Sequence, residues 1–143
     1  MPIPVIKYLT HDHREITIDG DNPMAVTLVA NDNVLSDADL IYITSTTAAA
    51  GQTQLVAAPG AGIRIVVSSF MVQNESVTAT TVSMQAGGAD VFRALLQTQG
   101  SDFSGSFWIG REWKLPASAA LNLWLSAANS HLYNVTYYTE STG

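Results

Sequence analysis

The chain contains no cysteine. That excludes a disulfide framework and a thiolate zinc site, and it leaves packing as the source of stability. No stretch approaches the roughly 20 consecutive apolar residues that a membrane-spanning helix requires. The opening MPIPVIKYLTHDH, with two prolines and no long apolar run, reads as neither a signal peptide nor an anchor, so a soluble, unprocessed chain without a membrane partner is the expectation. Charge is scarce too: only 13% of residues are Asp, Glu, Lys or Arg, and six of these are basic. With no basic stripe to neutralise phosphates, direct nucleic-acid binding is not expected. Two motifs of chemistry are also missing. No Gly-x-Ser-x-Gly elbow occurs, and the glycines at 60 and 62 lack the Lys-Ser/Thr of a phosphate-binding loop.

What is there is an apolar chain of 143 residues, 47% hydrophobic, with a net charge of −6. A single domain of this length buries about 68–70% of the surface its unfolded chain exposes, enough for a core without staples. The acidity is concentrated early. Residues 1–39 carry Asp12, Glu15, Asp19, Asp21, Asp32, Asp37 and Asp39 against Lys7 and Arg14. An electropositive protein partner or a solvated acidic face both fit that pattern.

Most segments have a period of two, the signature of strands. Leu121, Leu123 and Leu125 alternate with Asn122, Trp124 and Ser126, which predicts a core face of leucines with Trp124 on the other side. Tyr133, Val135 and Tyr137 alternate with Asn134, Thr136 and Tyr138, and the Asn129-Ser130 pair between the two runs predicts a C-terminal hairpin. After the Pro59-Gly60-Ala61-Gly62 turn, residues 63–73 predict a long central strand covered on both sides, with Ile63, Ile65, Val67 and Met71 on one face and Val66, Phe70 and Val72 on the other. Residues 77–86 predict a strand bulged between Ala79 and Val82 and ending at Gly87-Gly88. Shorter strands are predicted over 15–19, 25–30 and 40–47. Helical spacing occurs only at 36–39 and 90–97. The fold class that follows is all-β, an antiparallel sandwich or jelly roll over residues 51–143, preceded by an N-terminal arm or small sheet over residues 1–50.

His11-Asp12-His13 is the most site-like local cluster, because two imidazoles at i and i+2 on a strand share a face; it lacks a local third ligand. Asp19-Gly20-Asp21-Asn22 resembles a fragment of a calcium loop without its regular spacing and distal Glu, and turn chemistry accounts for it. Glu112, between Arg111 and Trp113, suits an ion pair with Arg111 or Lys114 better than acid catalysis. No catalytic, metal or cofactor site emerges, and the expectation is a protein that is not an enzyme.

Aromatic residues carry more weight. Trp108, Trp113, Trp124, Phe103, Phe107, Tyr137 and Tyr138 crowd the last third of the chain with little charge around them. Three readings stand: a protein interface, a second core layer, or a platform for stacking sugars. As interface candidates we take Trp108, Trp113, Trp124, Tyr137 and Tyr138, with Phe70 from the long strand.

The Leu55-Val-Ala-Ala-Pro-Gly-Ala-Gly-Ile-Arg-Ile-Val segment and the Leu115-Pro-Ala-Ser-Ala-Ala-Leu-Asn-Leu-Trp-Leu-Ser-Ala-Ala segment resemble the small β-sandwich virion proteins of tailed bacteriophages. The resemblance spans about residues 53–140. It implies a capsid decoration or cement protein on the outer surface of the phage head, made in the host cytoplasm, often trimeric, and partnered by itself and by the major capsid protein. On that reading Asp12, Glu15, Asp19 and Asp21 are candidates for docking on the capsid and the aromatic third for the subunit interface. A tail, neck or fibre component is the alternative among virion proteins, and a carbohydrate-binding sandwich for host attachment is the alternative outside them.

Overall fold

Strands that are apolar on one pleat face need a second sheet to cover that face, and the computed structural model shows how this chain supplies one. It describes residues 39–143 throughout and, before them, the backbone of two short strands. The chain divides into two compact units, Met1–Ser36 and Asp37–Gly143. In the first, β1 (Ile6–Leu9) pairs antiparallel with β2 (Glu15–Ile18), with Ile6 opposite Ile18 and Leu9 opposite Glu15. The His11-Asp12-His13 cluster, Asp19, Asp21 and the strand expected over residues 25–30 lie outside the described residues.

The second unit contains β3 (Ile41–Thr47), β4 (Gly51–Val56), β5 (Ile63–Asn74), β6 (Thr80–Ala86), β7 (Ala89–Leu96), β8 (Asp102–Ser106), β9 (Trp113–Lys114), β10 (Leu121–Leu125) and β11 (His131–Ser141). They form two antiparallel sheets, ordered β4-β10-β6-β7 and β3-β11-β5-β8, with β9 also pairing β5. Setting β9 aside as a continuation of β8 along β5, eight strands remain. The first of them pairs with the eighth, the second with the seventh, the third with the sixth and the fourth with the fifth. A long hairpin rolled so that its successive pairs fall alternately in two sheets has this order, which is that of a jelly roll. The expected all-β sandwich is therefore the fold. Its start differs from the expectation, because β3 pairs with β11 over seven consecutive residues and so belongs to the sandwich rather than to an N-terminal arm ending at residue 50.

The core fills the space between the sheets. Leu121, Leu123 and Leu125 are fully buried, stand opposite Ala86, Met84 and Val82 on β6, and pack in one cluster with Ile65, Val67 and Val72 of β5. Each buried leucine contributes about 1.5–3 kcal/mol relative to exposure. His131 is also fully buried. It continues the inward phase of Tyr133 and Val135, and its Nδ1 lies 2.8 Å from the Asn129 carbonyl.

Four expectations are corrected. β10 and β11 are not a hairpin: each carries a core-facing apolar row, and a surface connection over residues 126–130 takes the chain from one sheet to the other, placing one row in each. The phase of β5 changes once. Thr136 pairs with Ser69 and Tyr137 with Val67, so Ser68 is an extra residue; beyond it Phe70 and Val72 join Ile65 and Val67 on the core side, leaving Met71 on the outer side with Val66. β6 starts at Thr80, and its register shift falls at Met84/Gln85 rather than between 79 and 82. Residues 90–97 are largely β7, since Phe92, Ala94 and Leu96 meet Met84, Val82 and Thr80 across the strand pair.

Candidate interaction surface

β8 and β9 both run along β5, at Ser69–Gln73 and at Val66–Val67 respectively, so together they form one interrupted edge strand. The interruption, residues 107–112, loops outward. Its tip is a tight turn in which the Arg111 amide donates to the Trp108 carbonyl at 2.9 Å, with Gly110 in the third position at φ 87°. A type II turn demands positive φ there, which glycine supplies without strain. The Gly110 amide donates to Glu112 Oε2 at 2.9 Å. This is the role of Glu112 in place of the expected ion pair, and Lys114 instead lies 3.3 Å from Glu140. The turn leaves Trp108 and Ile109 at 83% and 82% exposure, beside an open concavity of about 450 Å³ lined by these two residues with Ser106 and Phe107.

The loop is rooted in the core. The Phe107 amide donates to the Ser68 carbonyl at 2.9 Å, and the Phe107 ring sits 5.8 Å from Phe92 and 6.3 Å from Phe70. Phe70 also meets Phe103 edge-on at 5.3 Å, and Trp113 meets Phe92 at 5.0 Å with an interplanar angle of 89°. Such edge-to-face pairs add about 0.5–1.5 kcal/mol beyond area burial. Two bulky exposed apolar side chains thus stand on a hydrogen-bonded turn beside a packed aromatic cluster.

The aromatic residues singled out in the sequence therefore separate into four places. Phe70, Trp113 and Tyr137 belong to the core or pack on it, so Phe70 in particular is corrected from an interface candidate to a core residue. Tyr138 lies on the outer side of the β11 sheet, 9% exposed, and burial pushes its phenol above the ordinary tyrosine range. It stands opposite Val66, and the next outer pair, Glu140 with Arg64, adjoins it. Glu140 Oε1 accepts from Arg64 Nε at 2.7 Å and from Lys114 Nζ at 3.3 Å. Burial alone would raise the Glu140 carboxyl, but these hydrogen bonds and charges outweigh it and hold it below the usual carboxylate range.

Trp108 and Trp124 remain. Trp124 lies on the outer face of the other sheet, in a row across four strands: Gln52, Trp124, Ser83, Arg93. A second row, Gln54, Asn122, Gln85, Asp90, runs beside it. The Arg93 guanidinium sits 5.6 Å from the Trp124 ring centroid, and the Gly87 carbonyl accepts from the side chains of both Gln52 and Asn122. Hydrogen bonds from Gln85 and Ser83, helped by Arg93, hold Asp90 below the usual carboxylate range. Alternation alone placed Trp124 here; of the amides beside it, Asn122 shares its strand, and Gln52, Gln54 and Gln85 come from strands distant in sequence.

Among the described residues, no group of three or more His, Asp or Glu side chains gathers, and no helix is long and apolar enough to cross a membrane. Comparison with protein-family models finds no match, and comparison with curated proteins finds none.

Proposed function

We propose that this chain is a structural protein of a phage virion, a capsid decoration protein that binds the outer head shell and itself, and that stabilises contacts between capsomers. One observation carries the reading: the preformed turn that holds Trp108 and Ile109 almost fully exposed. An exposed Trp-Ile pair on a hydrogen-bonded turn is suited to filling an apolar cleft on another protein, because the backbone of the turn is already closed and tryptophan is enriched among interface hot spots. The resemblance of its turn and strand patterns to those of phage sandwich proteins points the same way, and a jelly roll is compatible with the reading without assigning it. Several modest contacts per assembled oligomer would act together through avidity.

Co-sedimentation with purified empty capsids tests this. The wild-type chain should pellet with the shells, and a Trp108→Ala/Ile109→Ser variant should need at least about tenfold more protein for the same occupancy, while its stability stays within about 0.5 kcal/mol. A wild-type chain that remains in the supernatant at every salt concentration ends the proposal.

A second reading, a carbohydrate-binding sandwich, is favoured by the outer-face rows around Trp124, where an indole is flanked by the exposed amides Gln52 and Gln54. A glycan-array signal lost on Trp124→Ala and kept on Trp108→Ala would favour it.

A further inference from the structure

Four strands border the two sheets of the sandwich, and three of those borders are unsuited to pairing with another strand. The β8 edge is broken by the 107–112 excursion and contains Gly105. The β4 edge begins at Gly51, at φ 86°, and its register against β10 shifts between Leu121 and Asn122. The β7 edge carries Asp90 and Arg93, and its register against β6 shifts at Met84/Gln85. Bulges, charges and interruptions are the features that keep sheet edges from joining.

β3 has none of them. Its sequence, Ile-Tyr-Ile-Thr-Ser-Thr-Thr, holds no charge, proline or glycine and is rich in β-branched residues. It pairs with β11 through seven residues without a shift. Alternate residues therefore turn N–H and C=O groups away from the sheet along a straight border. Ile41 and Tyr42 are 46% and 65% exposed, and Thr44, Ser45 and Thr46 are exposed beside them.

We infer that β3 pairs antiparallel with β3 of a second copy, joining the two β3-β11-β5-β8 sheets into one continuous sheet across a two-fold axis. In the register centred on Thr44, Ile41 meets Thr47 of the other copy, Tyr42 meets Thr46 and Ile43 meets Ser45. Aromatic against β-branched and hydroxyl against hydroxyl are favourable cross-strand pairs, and no like charges face each other. The faces agree as well: Ile43 packs on the core, which puts Ile41, Ser45 and Thr47 on the core-side face and Tyr42, Thr44 and Thr46 on the outer one. Among the four borders of the sandwich each copy has one of this kind, so pairing through it closes on itself and growth of the sandwich sheets stops at two. This deepens the self-association within the proposed function and replaces the three-fold assembly implied by the phage resemblance with a two-fold one.

Charge swapping at the axis tests the inference. Thr44 is exposed, so a monomer tolerates Thr44→Lys or Thr44→Glu, but in the pair either substitution sets two like charges face to face. By sedimentation equilibrium the wild-type chain should be a dimer, and each variant alone should dissociate at least about tenfold more readily with an unchanged circular dichroism spectrum. An equimolar mixture of the two variants should restore dimers. A wild-type monomer, including one whose β3 amides are protected from hydrogen exchange by the rest of its own chain, overturns the inference; so does a trimer, or a dimer indifferent to both substitutions. Capsid co-sedimentation of the same samples separates the two proposals, since shell binding by a wild-type monomer or trimer sinks only the β3 pair, and absence of binding by a charge-sensitive dimer sinks only the shell reading.

Discussion

A Cβ built on Gly105 would lie 2.7 Å from Phe70 Cε1 and 3.0 Å from its Cζ. Phe70 stands directly opposite Gly105 across the β5–β8 pair and is hemmed in by Phe92, Phe103, Phe107 and Trp113, so it has little room to give. Gly105→Ala should therefore cost about 1–3 kcal/mol, seen as a lower urea midpoint with an unchanged slope. In a Phe70→Leu background the same change should cost less, because the clashing ring is gone. Glu140 supplies a different residue-scale outcome. Its folded carboxyl titrates below the ordinary unfolded value of about 4.3, so its contribution is whole above that value and is lost as pH falls through the depressed one. Glu140→Gln should lower the Tm at neutral pH and flatten the fall in Tm on acidification below about pH 4, measured by thermal unfolding across pH.

Among elements, strands whose alternation is unbroken were legible in the sequence, and those with an extra residue were not. The leucine row of β10 and the opposite placement of Trp124 follow from the pleat alone. The inner face of β5 did not, because the extra residue at Ser68 reverses the phase, and Phe70 looked like an outer residue for that reason. Residues 90–97 carry i, i+4 apolar spacing, yet in a strand i and i+4 also share a face; Phe92 and Leu96 satisfy both periods, and β6 beside them decided the outcome. The β10–β11 crossing was unreadable because turn chemistry at Asn129-Ser130 serves a hairpin and a change of sheet equally. The tip has a turn signal in its sequence, because Trp-Ile-Gly-Arg places glycine third, where a tight turn needs positive φ; the exposure of Trp108 and Ile109 depends on the tertiary setting of that turn. Gly110→Ala puts a side chain at φ 87°, so it should cost about 1–2 kcal/mol in the turn while the aromatic cluster beneath stays packed, a split that amide exchange confined to residues 107–112 would reveal.

At the scale of the whole molecule, acidic charge is densest in the short first unit, and an exposed apolar tip stands on the second. Residues 1–36 hold Asp12, Glu15, Asp19, Asp21 and Asp32 against Lys7 and Arg14, a net −3 that equals the contribution of the far longer second unit. The sandwich bears the Trp108–Ile109 tip instead. Under the proposed shell-binding function, these two contributions respond differently to salt. Attraction between exposed charges is screened over a Debye length of about 8 Å at physiological ionic strength and about 3 Å at 1 M, whereas burial of apolar surface is not weakened by added salt. A variant with Asp12→Asn, Glu15→Gln, Asp19→Asn and Asp21→Asn should bind capsids several-fold more weakly at low salt and match the wild type near 1 M. Trp108→Ala/Ile109→Ser should weaken binding by a similar factor at every salt concentration. If the acidic variant binds like the wild type throughout, the N-terminal acids are a solvated face and the tip carries the contact. If the tip variant alone loses its effect at low salt, steering by the acidic segment is enough to hold the subunit there, and the apolar anchor matters only where screening has removed that attraction.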